Sequence, residues 1–518
     1  MQASSKFADF DKTGLALVLF SSALLGIWAT MNTIALRNAL LWVGTLIALA
    51  YWWNWFKTNK ANHTLPSLSW LYCLPVALVG LMFVWVVMHY FLFAQNPQLQ
   101  FSELKSTWLR SFLAVILGSA TGLALNRNTR FMPWLWLGLL LSFVVLIYQY
   151  IPKAIAKQSL FAVDWFGDYI FWAKFNGVLT GTILIAGLLG LLIDTFWLNK
   201  SRDQGEAATN NPNANSSADL NENANSNFDL IADQKMNSQS NEAVIKPGLF
   251  NRIAIPIYVF VGICLTAYAF VFIFDAKAGV GMAFILIAFW LGIGLLFILK
   301  NVVSEKDKQH RRRFLIKSLI VMFLAVTSLS WFAAKHIKNN PGWGSLFEDM
   351  AMGAQIDKYP NWKDYIRLGQ PLRADGSKAE GSAYLRVAWA RVGLEVIREN
   401  PVGAGVFRYF HIQVKDRAPK IGDTAVYTHS AWVDMGLAFG IPGLLFMPIT
   451  LIAILFFAVL NPRIRFRATI ITTATAILIL YLVGEYAFQH GVEILFYLAG
   501  FLCGLALLDN LNPRKLHA

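Results

Sequence analysis

The chain has 518 residues, 56% of them hydrophobic and 14% charged, with a mean hydropathy of +0.49. Soluble domains carry roughly a quarter charged residues, so this composition excludes an ordinary water-solvated globule. The net charge of +14 does not point to nucleic acid, because Lys and Arg sit in short loops between apolar runs, where they report topology.

A span needs about 20 apolar residues to cross a ~30 Å hydrocarbon core. The run at 13–30 follows Lys6 and Lys12, exceeds a signal-peptide core and is followed at once by further apolar runs, so it reads as a retained span. Runs at 37–56, 70–94, 107–125, 131–151 and 176–198 complete a first helical unit, 1–198. Residues 199–252 are rich in Asn, Ser, Ala and Asp and nearly lack aromatics. They cannot bury enough apolar surface to offset ordering entropy, which predicts a disordered cytoplasmic loop. Spans at 253–274, 280–299 and 317–336 fill the unit 253–336, and spans at 430–460, 468–487 and 492–508 fill the unit 429–518. Between them, 337–428 forms a second long hydrophilic segment. It contains Trp343, Trp362, Trp389 and Phe407 among many charges and is able to fold. The predicted fold class is an all-α polytopic membrane protein of about twelve helices with one large, partly helical loop.

Orientation follows from the short loops. Lys57, Lys60, Arg127, Arg130, the run Arg311, Arg312, Arg313 to Lys317, Arg463, Arg465, Arg467, Arg514 and Lys515 fall on one side. The other side holds few cations, so both termini are predicted cytoplasmic and 337–428 extracytoplasmic. Cys73, Cys264 and Cys503 lie inside apolar runs and form neither a disulfide framework nor a metal site. His89, Asp194 and Glu485 are ionisable groups at membrane depth, where charge is costly and tends to be paired or functional. On one reading Glu485 and Asp194 are coupling sites of a secondary transporter or flippase. The sequence shows no inverted repeat, and a transporter has little need of a large folded outer loop.

Within that loop, AYLRVAWARVGLEVIREN (383–400) reads as a helix, ended by Asn400-Pro401. At 100° per residue Arg386 shares the apolar face with Trp389, Ala390, Gly393 and Ile397. A permanent charge there needs an anionic partner, either a structural carboxylate or a bound phosphate. Arg391 points the other way and is most simply an i,i+4 pair with Glu395. Further on, His429 stands where the loop meets the membrane. An imidazole with a pKa near ~6.5 suits general acid–base work; the alternative is an interfacial histidine that merely bonds a carbonyl.

The stretch 386–443 resembles the bacterial O-antigen ligase and O-antigen polymerase superfamily. The pattern is an Arg before a Trp-containing helix (Arg386, Trp389), then Asn400-Pro401-Val402-Gly403-Ala404-Gly405, then His429 and Gly440-Ile441-Pro442-Gly443. A weaker echo is Lys174-Phe175-Asn176-Gly177. Ser430, Ala438 and Lys174 stand where the pattern more often has Asn, Glu and Arg. The resemblance implies an enzyme that takes a glycan from undecaprenyl diphosphate at the periplasmic face of the bacterial inner membrane and passes it to lipid A–core, most like the ligase. It implies an inverting transfer. With no metal-spaced His/Asp/Glu cluster in the loop, the expectation is a metal-independent reaction without cofactor or nucleic acid, the partners being the lipid-linked donor, the lipid A–core acceptor and membrane lipids. His429 is then the catalytic base and Arg386 the diphosphate ligand, with Lys174, Arg367 and Arg373 as further diphosphate candidates and Arg391 and Glu485 in support. O-antigen polymerase and protein O-oligosaccharyltransferase are the alternatives within the superfamily.

Overall fold

The computed structural model describes residues 2–30, 33–61, 70–157, 169–209, 249–274, 276–304, 308–339, 341–407, 409–422, 425–461, 464–484 and 490–508. Each of the predicted spans falls on a helix: α1 (Gln2–Trp28), α2 (Ile34–Ala61), α3 (Trp70–Phe93), α4 (Pro97–Glu103) running through a π turn into α5 (Leu109–Arg127), α6 (Met132–Lys157), α7 (Tyr169–Thr209), α8 (Leu249–Tyr268), α9 (Lys277–Ser304) and α10 (Lys308–Asn339). The loop that follows contributes α11 (Leu346–Ala354) and α12 (Gly381–Glu399). Then come α13 (Ala431–Leu460), α14 (Arg467–Val483) and α15 (Gly491–Leu508). Seven helical stretches are long and apolar enough to cross a membrane, and four shorter apolar ones accompany them among the described residues. The chain is an all-α polytopic membrane protein. Most of the Asn-rich insert, 210–248, lies outside the described residues, as does Glu485. The ends of the predicted insert are helical, since α7 runs to Thr209 and α8 starts at Leu249.

The most extensive helix pairing joins α5 to α15, and its cause is a reciprocal small-residue seam. Gly118 and Gly122 on α5 meet Gly500 and Gly504 on α15, each pair four residues apart. A Cβ on Gly118 would come within 2.1 Å of the Tyr497 carbonyl oxygen, and one on Gly504 within 2.3 Å of the Ser119 carbonyl oxygen. Between lipid-solvated helices such close backbone approach supplies the dispersion contact that hydrophobic burial cannot.

The intramembrane carboxylate Asp194 has a structural role. Its two oxygens accept from the Ala468 and Thr469 amides, each at 2.8 Å, so it caps the N-terminus of α14 from the neighbouring α7. Carboxylate and helix dipole satisfy one another, which leaves this group poorly suited to ion coupling.

The predicted tenth span, 430–460, falls on α13, which is broken midway. α13 is not one continuous rod: Phe439 (φ −126°, ψ 18°) and Gly440 (φ 67°, ψ −155°) break it, with Pro442 two residues on. A broken helix at membrane depth must find other partners for the freed backbone groups, and they come from two directions. The Leu437 and Ala438 carbonyls accept from the Ala404 and Gly405 amides at 2.9 and 2.6 Å, and Ile441 N donates to the Pro401 carbonyl at 2.9 Å. From α3, Trp85 Nε1 donates to the Phe439 carbonyl at 2.9 Å. The sequence Asn400-Pro401-Val402-Gly403-Ala404-Gly405 is therefore the clasp that closes the break, and its glycines are required by proximity. A Cβ on Gly403 (φ 90°) would lie 2.4 Å from the Gly440 nitrogen.

The first half of α13 serves two cores. Val433 and Leu437 pack with Met352, Trp362, Tyr384, Trp389, Val392 and Phe410 of the loop. Ala431, Met435, Ala438 and Phe439 of the same half, like Met447, Leu451 and Ile454 of the second, belong to the helical bundle. The loop's core is thus seated on the bundle through α13.

Candidate functional site

The site is assembled on α12. Alanine, leucine and arginine favour this helix, and it ends at Asn400 (φ −121°, ψ 77°), where the following proline excludes helical backbone. Its buried face carries Ala383, Tyr384, Ala388, Trp389, Val392, Gly393 and Ile397. Glycine at 393 lets α13 come close, since a Cβ there would stand 2.5 Å from Val433 Cγ1. That approach brings Trp389 against His429: the rings stack with centroids 5.3 Å apart and planes 12° from parallel. Phe410 also packs against Trp389, with ring centroids 5.9 Å apart. Arg386 is half-buried and lies three residues before Trp389, one helical turn and about 4.5 Å along the axis.

His429 is half-buried and adopts φ 62°, the one positive φ outside glycine among the described residues. A non-glycine residue holds that conformation only where its surroundings over-determine it, and here both neighbours are tied down. Asp434, in the first turn of α13, accepts from the Thr428 amide and the Thr428 hydroxyl, both at 2.8 Å. On the other side the Ser430 hydroxyl donates to the Leu482 carbonyl at 2.7 Å, and Ala431 N donates to the Gly484 carbonyl at 2.9 Å. The histidine is therefore presented at the head of α13 by a fixed backbone, a design associated with function.

A second network fixes the clasp from below. His89 on α3 is fully buried. Its Nε2 donates to the Val402 carbonyl at 3.2 Å, and its Nδ1 accepts from Gln100 Nε2 at 3.1 Å. These partners define a neutral imidazole with the proton on Nε2. Glu103 accepts from the Phe407 amide through both carboxylate oxygens, each at 3.1 Å. The histidine singled out at membrane depth is thus a brace for the clasp.

The remaining sequence candidates lie in different settings. Arg391 pairs with Glu395 at 3.2 Å on an exposed surface, as the i,i+4 reading expects. Arg367 is 69% exposed and pairs with Asp364 at 2.8 Å. Arg373 is committed to a buried carboxylate: Nε and Nη2 donate to Asp349 at 2.7 and 2.8 Å, and Nη2 and Nη1 reach Ser345 and Ser377. Lys174 is half-buried near the start of α7, two residues before Asn176, whose side chain donates to the Ala29 carbonyl at 2.7 Å. Sequence reasoning missed the Asp434–Thr428 and Ser430–Leu482 supports. The signal for the first was an acidic residue in the opening turn of a helix that follows Thr and Ser.

Burial pushes the Asp349 carboxyl up, but Arg373, the Glu380 amide and Ser345 outweigh it and hold the group below the ordinary carboxylate value. A depressed folded-state pKa contributes stability above the unfolded value of about 3.9. That stability is lost as pH falls through the lower folded value. Arg373→Gln should accordingly raise amide exchange in α11 at least about tenfold at pH 7, equivalent to ~1.4 kcal/mol. The wild type should fall to the variant's level only in strong acid. Equal exchange at neutral pH would show that the pair does not hold the loop.

Residues 252–448 match the family model described as O-antigen ligase. The match runs from α8 through the folded loop and across the break in α13. No curated protein matches the sequence.

Proposed function

We infer that this protein, whose residues 252–448 match the O-antigen ligase family model, is a glycosyltransferase that moves O-antigen glycan from undecaprenyl diphosphate to lipid A–core oligosaccharide. The reaction is read at the periplasmic face of the inner membrane, with both termini in the cytoplasm. The observation that carries the reading is the presentation of His429: an imidazole on a strained, doubly anchored backbone, stacked on Trp389 one turn from Arg386.

Those residues suit a direct displacement. His429 takes the proton from an acceptor hydroxyl as its oxygen attacks the anomeric carbon. The bond from that carbon to the diphosphate oxygen breaks, and the diphosphate leaves with the electron pair. Attack opposite the leaving group inverts the configuration. Charge gathers on the diphosphate in the transition state, where a fixed guanidinium fork is worth more than a mobile ammonium. Arg386 is assigned that role by its place one helical turn before Trp389, with Arg367 and Arg373 as lesser candidates. Lys174 is a second cation for the carrier lipid.

Arg386→Lys keeps the charge and loses the fork. In a deletion strain complemented with this variant, the O-antigen ladder on lipopolysaccharide gels should fall about tenfold or more while long glycan accumulates on the carrier lipid. A wild-type ladder would remove Arg386 from the site. In the uncomplemented strain, core bearing a single repeat would indicate polymerase instead of ligase, and an unchanged ladder would reject both.

A further inference from the structure

A second cationic centre lies in the bundle away from Arg386. Trp28 ends α1, Arg37 opens α2, Arg110 opens α5, and His490 and Glu493 lie at the start of α15. Arg37 is 1% exposed and Glu493 is fully buried. Arg37 donates through Nη1 to the Trp28 carbonyl at 3.0 Å and through Nη2 to His490 Nε2 at 2.8 Å. Arg110 Nε and Trp28 Nε1 donate to the two oxygens of Glu493, at 2.5 and 3.1 Å.

Among the described residues the charges in this cluster do not balance. Arginine cannot give up its proton in a protein, so His490 Nε2 must be the acceptor, its proton sits on Nδ1, 3.6 Å from Glu493 Oε1, and the ring is neutral. Two guanidiniums then face one described carboxylate, leaving one unit of positive charge in low dielectric. Two donor atoms, Arg37 Nε and Arg110 Nη2, are buried with no partner among the described residues. Ionisable groups at such depth are costly and mark binding sites and pathways, and unmatched guanidinium donors call for an anion.

We propose that Arg37 and Arg110, with His490 positioning Arg37, form a second anion subsite that takes the phosphate or diphosphate group of a lipid-linked substrate. Arg110, 15% exposed, is the group a phosphate would meet. Arg37 stands behind it and adds charge, held by His490, whose two ring nitrogens face Arg37 and Glu493. Gly484 holds Ala431 beside His429, and His490 follows Gly484 by six residues in sequence. Ala29, next to Trp28, receives Asn176, which brings Lys174 to the same end of the bundle. Planar guanidinium forks match phosphate oxygens in two-point contact. The class of ligand rests on the reading of the protein as a transferase of lipid-linked glycan; the charge imbalance does not.

The test uses full-length protein in nanodiscs, titrated separately with undecaprenyl diphosphate and with bisphosphorylated lipid A. Arg110→Gln should weaken binding of one probe about tenfold or more, and Arg110→Lys should restore part of the loss. Where Arg110→Gln lowers the unfolding midpoint, His490→Gln supplies the same comparison. Weakening for undecaprenyl diphosphate assigns the subsite to the carrier, and weakening for lipid A assigns it to the acceptor. Wild-type binding of both probes by folded variants overturns the proposal. Transfer retained by His429→Ala would sink the catalytic reading without touching this subsite, since the subsite is read from probe binding alone.

Discussion

Replacing His429 with alanine should lower glycan transfer by about 10²–10⁴-fold, the usual contribution of a positioned general base, while the protein still accumulates in the membrane. The side chain is half-buried, and the backbone on both sides is fixed by Asp434, Leu482 and Gly484, so the loss should fall on turnover more than on folding. Alanine is no better suited than histidine to φ 62°, which makes His429→Asn a useful companion. Asparagine tolerates the left-handed region but lacks the base, so it should be as inactive as alanine and fold at least as well. Purified variants assayed with lipid-linked glycan and acceptor separate these effects. Transfer at the wild-type rate by either variant would remove the base from the mechanism.

The second large effect is expected at Gly440. Its backbone (φ 67°, ψ −155°) lies in a region essentially reserved for glycine, and a Cβ there would fall 2.0 Å from the Pro401 carbonyl oxygen. That oxygen accepts from Ile441 N, so it cannot withdraw without opening the clasp. Gly440→Ala should cost about 3 kcal/mol or more from strain and overpacking combined. The result should appear as a lower unfolding midpoint and as lost transfer, because the first half of α13 carries His429. Ile441, beside it, is exposed to the bundle surface at 47%, and Ile441→Val is expected to be nearly neutral. Equal stability of the two variants would mean that the break is not a fixed feature of the native state.

The helices were legible because hydropathy and length alone define them: a run such as 70–94 has no other stable solution in lipid. The helix at 383–400 was legible for a different reason, since its apolar face recurs at helical spacing and Asn400-Pro401 stops it. Trp389 was placed on the correct face, but its stacking on His429 was not, because the partners are 40 residues apart and only the loop's fold joins them. The break at Gly440 was hidden inside an apolar run, although Gly440-Ile441-Pro442-Gly443 carries the residues that interrupt helices. The same motif served as a family mark without revealing its mechanical task. Arg373 was a lesser diphosphate candidate in sequence, where nothing revealed the buried Asp349 that it pairs with. His89 and Asp194 drew attention as charges in apolar runs. Sequence had no means of showing that one braces a loop more than 300 residues away and the other caps a helix.

The parts that hold the clasp and His429 are spread widely along the chain. His89, Gln100 and Glu103 come first, the clasp and His429 follow some 300 residues later, and the carbonyls of Leu482 and Gly484 come after them. A nascent chain inserted as far as α13 has its histidine but not the acceptors that fix Ser430 and Ala431. Long-range contacts of this kind close late in folding. Competence is therefore withheld until residues 482–484 have been made, and a polypeptide truncated before residue 482 should enter the bilayer yet remain unable to use lipid-borne sugar.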